Sequence, residues 1–188
     1  YKRQTMTNSA NLYRRQQQFD KADSLHGQVL IEKRRLFGDQ DVRTLNSINN
    51  LACAHMYAKS YTDAKPLFEE ALAGYREFYL AEHRDTLKVM HRHGYTLARL
   101  AAFDDARLLL QEALDGYRKR SVRSSSASIQ REIDSIEQIL SYVDSQLPKQ
   151  RNAPRTSRRR LAELRGRHRP CAGVALLLSV GCLLYTSP

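Results

Sequence analysis

Shifted by 42 residues, the chain falls back onto itself. The segment "YTDAKPLFEEALAGYR" (61–76) lands on "FDDARLLLQEALDGYR" (103–118), where Ala64, Leu67, Glu70, Ala71, Leu72, Gly74, Tyr75 and Arg76 each meet an identical residue. One step earlier, "FDKADSLHGQVLIEKR" (19–34) takes the same frame, with Phe19 on Tyr61 and Ala22 on Ala64, and Thr44-Leu45 recurs as Thr86-Leu87. A fixed period of this size constrains the fold more than composition does. Each copy is one supersecondary unit that cannot bury its apolar face alone, so the copies must stack.

Within a unit the apolar residues keep steps of three and four. Ile48, Leu51, Ala52 and His55 form one stripe, and Tyr61, Ala64, Leu67, Phe68, Ala71, Leu72 and Tyr75 form the next. That spacing marks amphipathic helices, and with only the short polar break "AKS" between the stripes, each unit reads as two antiparallel helices. Small residues recur in both: Ala10, Ala52 and Gly94 in the first helix, Ala22, Ala64 and Ala106 in the second. A larger side chain there would hold the pair apart.

Residues 126–148, "SASIQREIDSIEQILSYVDSQLP", carry one apolar face (Ile129, Ile133, Ile136, Leu140, Val143, Leu147) and no second-helix partner. Ser126 or Ser128 can cap this helix, Glu132 suits its first turn, and Pro148 should end it. In register it is the first helix of a fourth unit. It serves either as a cap over the third unit or as the beginning of a further repeat. The cap is favoured, because a terminal repeat must present a polar outer face.

This pattern resembles the tetratricopeptide repeat, in the 42-residue variety of kinesin light chains and nephrocystin-3-like proteins. The linkers "LFGDQDVRTL" (36–45) and "YLAEHRDTL" (79–87) look like copies of that family's Leu-Gly-Glu-Asp-His-Pro-Asp-Thr-Leu, and its Asn-x-Leu-Ala block appears as "NNLA" (49–52). The resemblance covers about residues 4–120. It departs in two places: neither linker has its proline, and His93 stands where Leu51 predicts leucine.

The resemblance implies an all-α, right-handed solenoid of three antiparallel helix pairs, at about 1–36, 43–79 and 85–120, plus a terminal helix at 126–147. It implies a protein–protein interaction scaffold that binds a peptide or partner protein in the concave groove of the first helices, in the cytoplasm and in association with the cytoskeleton. A motor–cargo adaptor, engaging kinesin heavy chain through a region outside this chain, follows from the same resemblance. The alternatives are a regulatory tail of a larger signalling protein and, with less support, an RNA-binding repeat protein. By resemblance the groove positions are Asn8, Asn11 and Arg15, then Asn46, Asn49 and Cys53, then Lys88, His91, Tyr95 and Arg99. No Asp or Glu falls among them, so the expected partner is an extended acidic peptide, with an aromatic anchor against Tyr95.

The histidine-rich "EHRDTLKVMHRHGY" (82–95) invites a metal reading that the spacing refuses. His91 and His93 point about 200° apart on a helix, whereas a helical zinc site wants histidines four apart. His83 falls at the linker's own histidine position and should order the turn. His93 is expected half-buried against the preceding unit, and His91 on the concave face. There is no phosphate-binding loop, nucleophile elbow or zinc-protease motif. The carboxylate pairs Glu69-Glu70 and Asp104-Asp105 suit exposed faces and helix starts, and Cys53 and His55 diverge on their helix. The expectation is a non-enzyme without metal or cofactor.

The net charge of +11 is concentrated in one segment. Lys149–Pro170 holds nine Arg and Lys against Glu163 alone, leaving 22 of the 31 basic and 19 of the 20 acidic residues in 1–148. A nearly neutral repeat body argues against a nucleic-acid-binding domain. Cys53, Cys171 and Cys182 make no disulfide framework or CxxC site, which favours a reducing compartment. The apolar run Cys171–Tyr185 is shorter than the roughly 20 residues that span a bilayer, so no membrane anchor is expected. Residues 148–188 read as a disordered tail, basic and then apolar. Its Arg, Ala, Gly and Pro bias is that of a GC-rich message read out of frame, and "CLLYTSP" (182–188) looks like a translated transposase sequencing adapter. Much of residues 149–188 therefore reads as non-native sequence. A start at Tyr1 without a signal-peptide pattern reads as a fragment.

Overall fold

The computed structural model describes residues 2–79, 82–124 and 126–151, and these hold seven helices and no strand. They are α1 (Lys2–Arg15), α2 (Phe19–Phe37), α3 (Val42–Tyr57), α4 (Tyr61–Phe78), α5 (Arg84–Arg99), α6 (Phe103–Arg123) and α7 (Ala127–Arg151). The chain divides into two compact units, Tyr1–Leu147 and Pro148–Pro188, and the repeats lie in the first.

The period is written into the backbone. The turns from α1 to α2, α3 to α4 and α5 to α6 each pass through one left-handed residue, Gln17, Lys59 and Ala101, with φ of 61°, 64° and 57°. Such a conformation costs an L-residue about 1–2 kcal/mol, a cost accepted three times at the same place to reverse the chain within three residues. The first helices begin on side-chain caps, again one period apart. Asp41 accepts from the Arg43 N–H at 2.8 Å to open α3, and His83 Nδ1 accepts from the Asp85 N–H at 3.3 Å to open α5. The His83 ring lies flat on Tyr79, centroids 3.8 Å apart.

Ala10, Ala22, Ala52, Ala64 and Ala106 are all completely buried, so the helices of each pair meet through their small residues. A Cβ added to Gly94 would stand 2.5 Å from Leu110 Cγ, and Gly74 and Gly116 lie in the same way under Leu45 and Leu87. Around these contacts Phe68, Tyr75, Leu87, Leu110 and Ile136 are buried, each contributing about 1.5–3 kcal/mol. The second helices carry a ladder of ion pairs at the repeat step, Arg34–Glu70 at 2.5 Å and Arg76–Glu112 at 2.7 Å, continued to α7 by Arg118–Glu137 at 2.9 Å. Exposed pairs of this kind are worth about 0–1 kcal/mol each. Apolar stacking therefore dominates.

On α7, Ile133, Ile136, Leu140, Val143 and Leu147 are buried, while Gln130, Arg131, Asp134, Glu137 and Gln138 are exposed. Ser126 caps the helix, its Oγ accepting from the Ser128 N–H at 3.3 Å. Two expectations fail here. Glu132 lies past the first turn, and Pro148 does not end the helix, which runs on to Arg151. A proline withholds one N–H, and here only the carbonyl of exposed Asp144 loses its donor, as that of exposed Thr62 does to Pro66 inside α4. The first four residues of the expected tail, 148–151, belong to α7, and the rest, with Cys171 and Cys182, lies outside the described residues. Among the described residues no helix is long and apolar enough to cross a membrane.

Candidate peptide-binding groove

The first helices stand side by side and are tied across their neighbours. The Arg14 guanidinium of α1 lies 4.6 Å above the Tyr57 ring of α3. Arg92 of α5 reaches back to α3, donating to Asn49 Oδ1 at 3.5 Å. Forward, His91 meets α7, with Nδ1 2.9 Å from Glu132 Oε2 and Nε2 3.3 Å from Ser135 Oγ. Beneath this row the Tyr75 hydroxyl of α4 donates to Asn46 Oδ1 at 2.8 Å.

The electrostatics of the row follow from partial burial beside like charge. Lys88 has its pKa lowered, first by burial and then by Arg84 and Arg92. Burial pushes the Cys53 thiol up against the smaller opposing pull of Arg92 and Arg14, so it stays protonated and inert. The hydrogen bond from His91 holds the Glu132 carboxyl below its usual range. At the far end of α5 a cleft of about 220 Å³ is lined by Tyr95, Ala98, Arg99, Gln138, Ile139 and Tyr142. Tyr61 meets Tyr95 edge-on at 6.2 Å, and the Arg99 guanidinium lies 5.5 Å from the Tyr61 ring. An apolar wall with one cation can accept an aliphatic or aromatic side chain. Among the described residues no cluster of His, Cys, Asp or Glu could hold a metal.

A family model for the tetratricopeptide repeat matches residues 1–77 and 53–119. The chain belongs to the tetratricopeptide-repeat family. Tetratricopeptide repeats are scaffolds that bind proteins or peptides, and the fold agrees with solved examples. The nearly identical TPR-like repeats of a Podosopora anserina protein assigned as a kinesin light chain superpose with a TM-score of 0.64 at 20% identity, over 79% of this chain and 71% of that one. BtubC (BKLC) from P. vanneervenii gives 0.56 at 14% identity over 81% and 65%, and the Sgt2 TPR domain of Aspergillus fumigatus gives 0.53 at 13% over 81% and 85%. No curated protein matches the sequence.

In this tetratricopeptide-repeat protein the residues expected in the groove divide into groups. Asn8 and Arg15 are exposed, Asn11 is half-buried, and Asn8 accepts from Gln4 Nε2 at 3.1 Å. Asn46 and Asn49 are half-buried and already engaged by Tyr75 and Arg92. Lys88 and Tyr95 are half-buried, and Arg99 is exposed. Cys53 is corrected: it is buried, because small apolar side chains at this level pack into the helix interface rather than line the row. His91 is corrected too, since α7 occupies both of its ring nitrogens. The expected row is also not free of acids, because α7 sets Glu132 against His91. His93, expected half-buried, is buried against Phe68.

Sequence reasoning missed Arg14, Arg92, Glu132 and Tyr142. The signal for Arg92 was present: stepping from Asn8 by the period reaches Asn50 and then Arg92, not His91.

Proposed function

We propose that this chain holds an extended acidic segment of a partner protein along the row formed by α1, α3, α5 and α7. The division of charge carries the reading. Second-helix charges neutralise one another in the Arg34–Glu70 and Arg76–Glu112 pairs, whereas Lys88, Arg92 and Arg99 of α5 stand in no ion pair among the described residues. Carboxylates of a bound segment would gain charge-assisted bonds of about 1.5–3 kcal/mol each where water is excluded. The amides of Asn8, Asn11 and Asn49 can donate to and accept from its backbone, and the cleft at Tyr95 and Tyr142 can take an apolar anchor. The linkers "LFGDQDVRTL" and "YLAEHRDTL" support a finer role within this reading, that of a cytoplasmic cargo adaptor of the kinesin-light-chain kind.

Fluorescence anisotropy of the full chain with matched acidic and basic peptides is the test. Acidic peptides should bind, and binding should weaken as salt is added. Tighter binding of the basic set overturns the reading.

A further inference from the structure

The connection from α6 to α7 departs from the two that join earlier units. In place of the linkers at 36–45 and 79–87 stands "SVRSSSAS" (121–128), and one residue is added to the period. α6 ends on a basic run, Arg118, Lys119, Arg120 and Arg123, with the Arg123 side chain 76% exposed. Ser124 follows with extended backbone (φ −153°, ψ 101°), and α7 begins only at Ala127. Basic side chains thus lead into serines that lie outside both helices.

Opposite charge selects the partner of such a surface, and a kinase with an acidic substrate groove grips arginines ahead of the serine it modifies. The place three residues before the serine separates the candidates. Arg118 stands there for Ser121, but Ser121 lies inside α6 with its hydroxyl donating to the Arg118 carbonyl at 2.7 Å. Ser121, Val122 and Ser125 stand there for Ser124, Ser125 and Ser128. Within this stretch, Ser126 alone joins an arginine at that place, Arg123, to a position outside a helix. Its Oγ accepts from the Ser128 N–H at 3.3 Å and stands 2.9 Å from the Ser128 hydroxyl. Ala127, Ser128 and Gln130 are exposed, so little packing opposes opening the first turn of α7 onto a kinase.

We propose that Ser126 is a phosphorylation site for a serine kinase directed to basic sequences. The Ser126 Oγ attacks the γ-phosphorus of a nucleoside triphosphate, and the bond to the β-phosphate oxygen breaks. The hydroxyl proton passes to the catalytic carboxylate of the kinase, and the nucleoside diphosphate leaves. The cap of the second unit indicates the consequence. Asp41 opens α3 as an anion that accepts from the Arg43 N–H at 2.8 Å. A phosphate on Ser126 would set an anion at the corresponding start of α7, where the first N–H groups favour it. Arg123 could then turn to it from Glu82, now 3.1 Å away, while Glu82 keeps Lys119 at 3.5 Å.

The test treats the full chain with magnesium ATP and the catalytic subunit of the cyclic-AMP-dependent protein kinase, an enzyme directed to basic sequences. Mass spectrometry maps the products. Phosphate should enter residues 121–128 at Ser126 alone, and Ser126→Ala should leave that stretch unmodified. Arg123→Ala should slow the reaction about tenfold. Arg131→Ala, which removes an exposed arginine on the other side of the serine, should not slow it. Treatment should raise the melting temperature of the parent by about 1–4 °C and leave that of Ser126→Ala unchanged. An unmodified stretch, phosphate on another of its serines, or equal rates for Arg123→Ala and the parent overturns the site. A melting temperature lowered by treatment in the parent alone overturns the anionic cap argued for it.

Discussion

The His93 ring lies along that of Phe68, centroids 6.2 Å apart and planes inclined by 24°, with neither ring nitrogen partnered among the described residues. Burial first, then the like charges of Lys65 and Arg76, pulls its pKa from 6.5 down to about 4. His26 falls to about 4 as well, through burial and Arg14 against a smaller opposite pull from Asp23. Both rings are neutral in the fold, whereas the unfolded chain takes up protons near 6.5. Their stabilisation is therefore complete above that pH, is lost as pH falls toward about 4, and changes no further below it. Each contributes a slope of about 1.4 kcal/mol per pH unit inside that window. His93→Leu, which supplies the residue found at the place of Leu51, should remove about half of the slope and raise stability near neutrality by about 1 kcal/mol. Urea denaturation of parent and variant at about pH 7 and about pH 5 checks both effects, and parallel pH dependence would locate the titration elsewhere.

The glycines separate two effects that usually act together. Gly27 sits inside α2 with nothing within 4 Å of an added Cβ, so Gly27→Ala gains only helix propensity and should stabilise by up to about 1 kcal/mol. Gly94→Ala gains the same propensity but drives its methyl to 2.5 Å from Leu110 Cγ, the branch point of a buried side chain. Overpacking of this kind costs about 1–3 kcal/mol and should win. Thermal melts must move in opposite directions for the two variants. A shared direction would mean that α5 and α6 are not packed through Gly94.

Much of this architecture was legible because a period repeats its constraints. The turns at Gln17, Lys59 and Ala101, the caps at Asp41 and His83, and the small residues at Ala10, Ala52 and Gly94 all recur at one step. The site was less legible for two physical reasons. Neighbouring helix residues differ in direction by about 100°, so a frame set one residue out exchanges Arg92, which leans toward α3, for His91, which leans toward α7. The step also changes before the last helix: α3 and α5 begin at Val42 and Arg84, but α7 begins at Ala127 rather than one full period later. That single added residue hid which side chains of α7 enter the row, Glu132 among them.

The ion-pair ladder looks prominent but should matter little for folding. Arg76 and Glu112 meet at 2.7 Å with nearly half of each side chain exposed, whereas Phe68 is wholly buried between units. Glu112→Gln should cost less than about 1 kcal/mol, and less still at high salt. Phe68→Ala should cost about 3–5 kcal/mol whatever the salt. Chemical denaturation of the three proteins at low and high ionic strength decides. A salt-sensitive loss of several kcal/mol in Glu112→Gln would make the ladder, rather than the apolar stack, the main tie between repeats.

Arg92 is the side chain on which the groove reading depends most. It is half-buried at the middle of the row, its contact with Asn49 is long, and it lies close enough to Lys88, Glu132 and Cys53 to influence their ionisation. Arg92→Glu should therefore leave the melting temperature within a few degrees of the parent, because little packing or hydrogen bonding is lost. The same change turns the centre of the row from basic to acidic. Acidic peptides should lose about tenfold or more in affinity, and the remaining binding should depend less steeply on salt than in the parent. Basic peptides should not lose affinity. Anisotropy titrations at two ionic strengths read all three effects. Unchanged binding of acidic peptides by folded Arg92→Glu would remove α5 from the binding surface and leave the chain without the groove proposed for it.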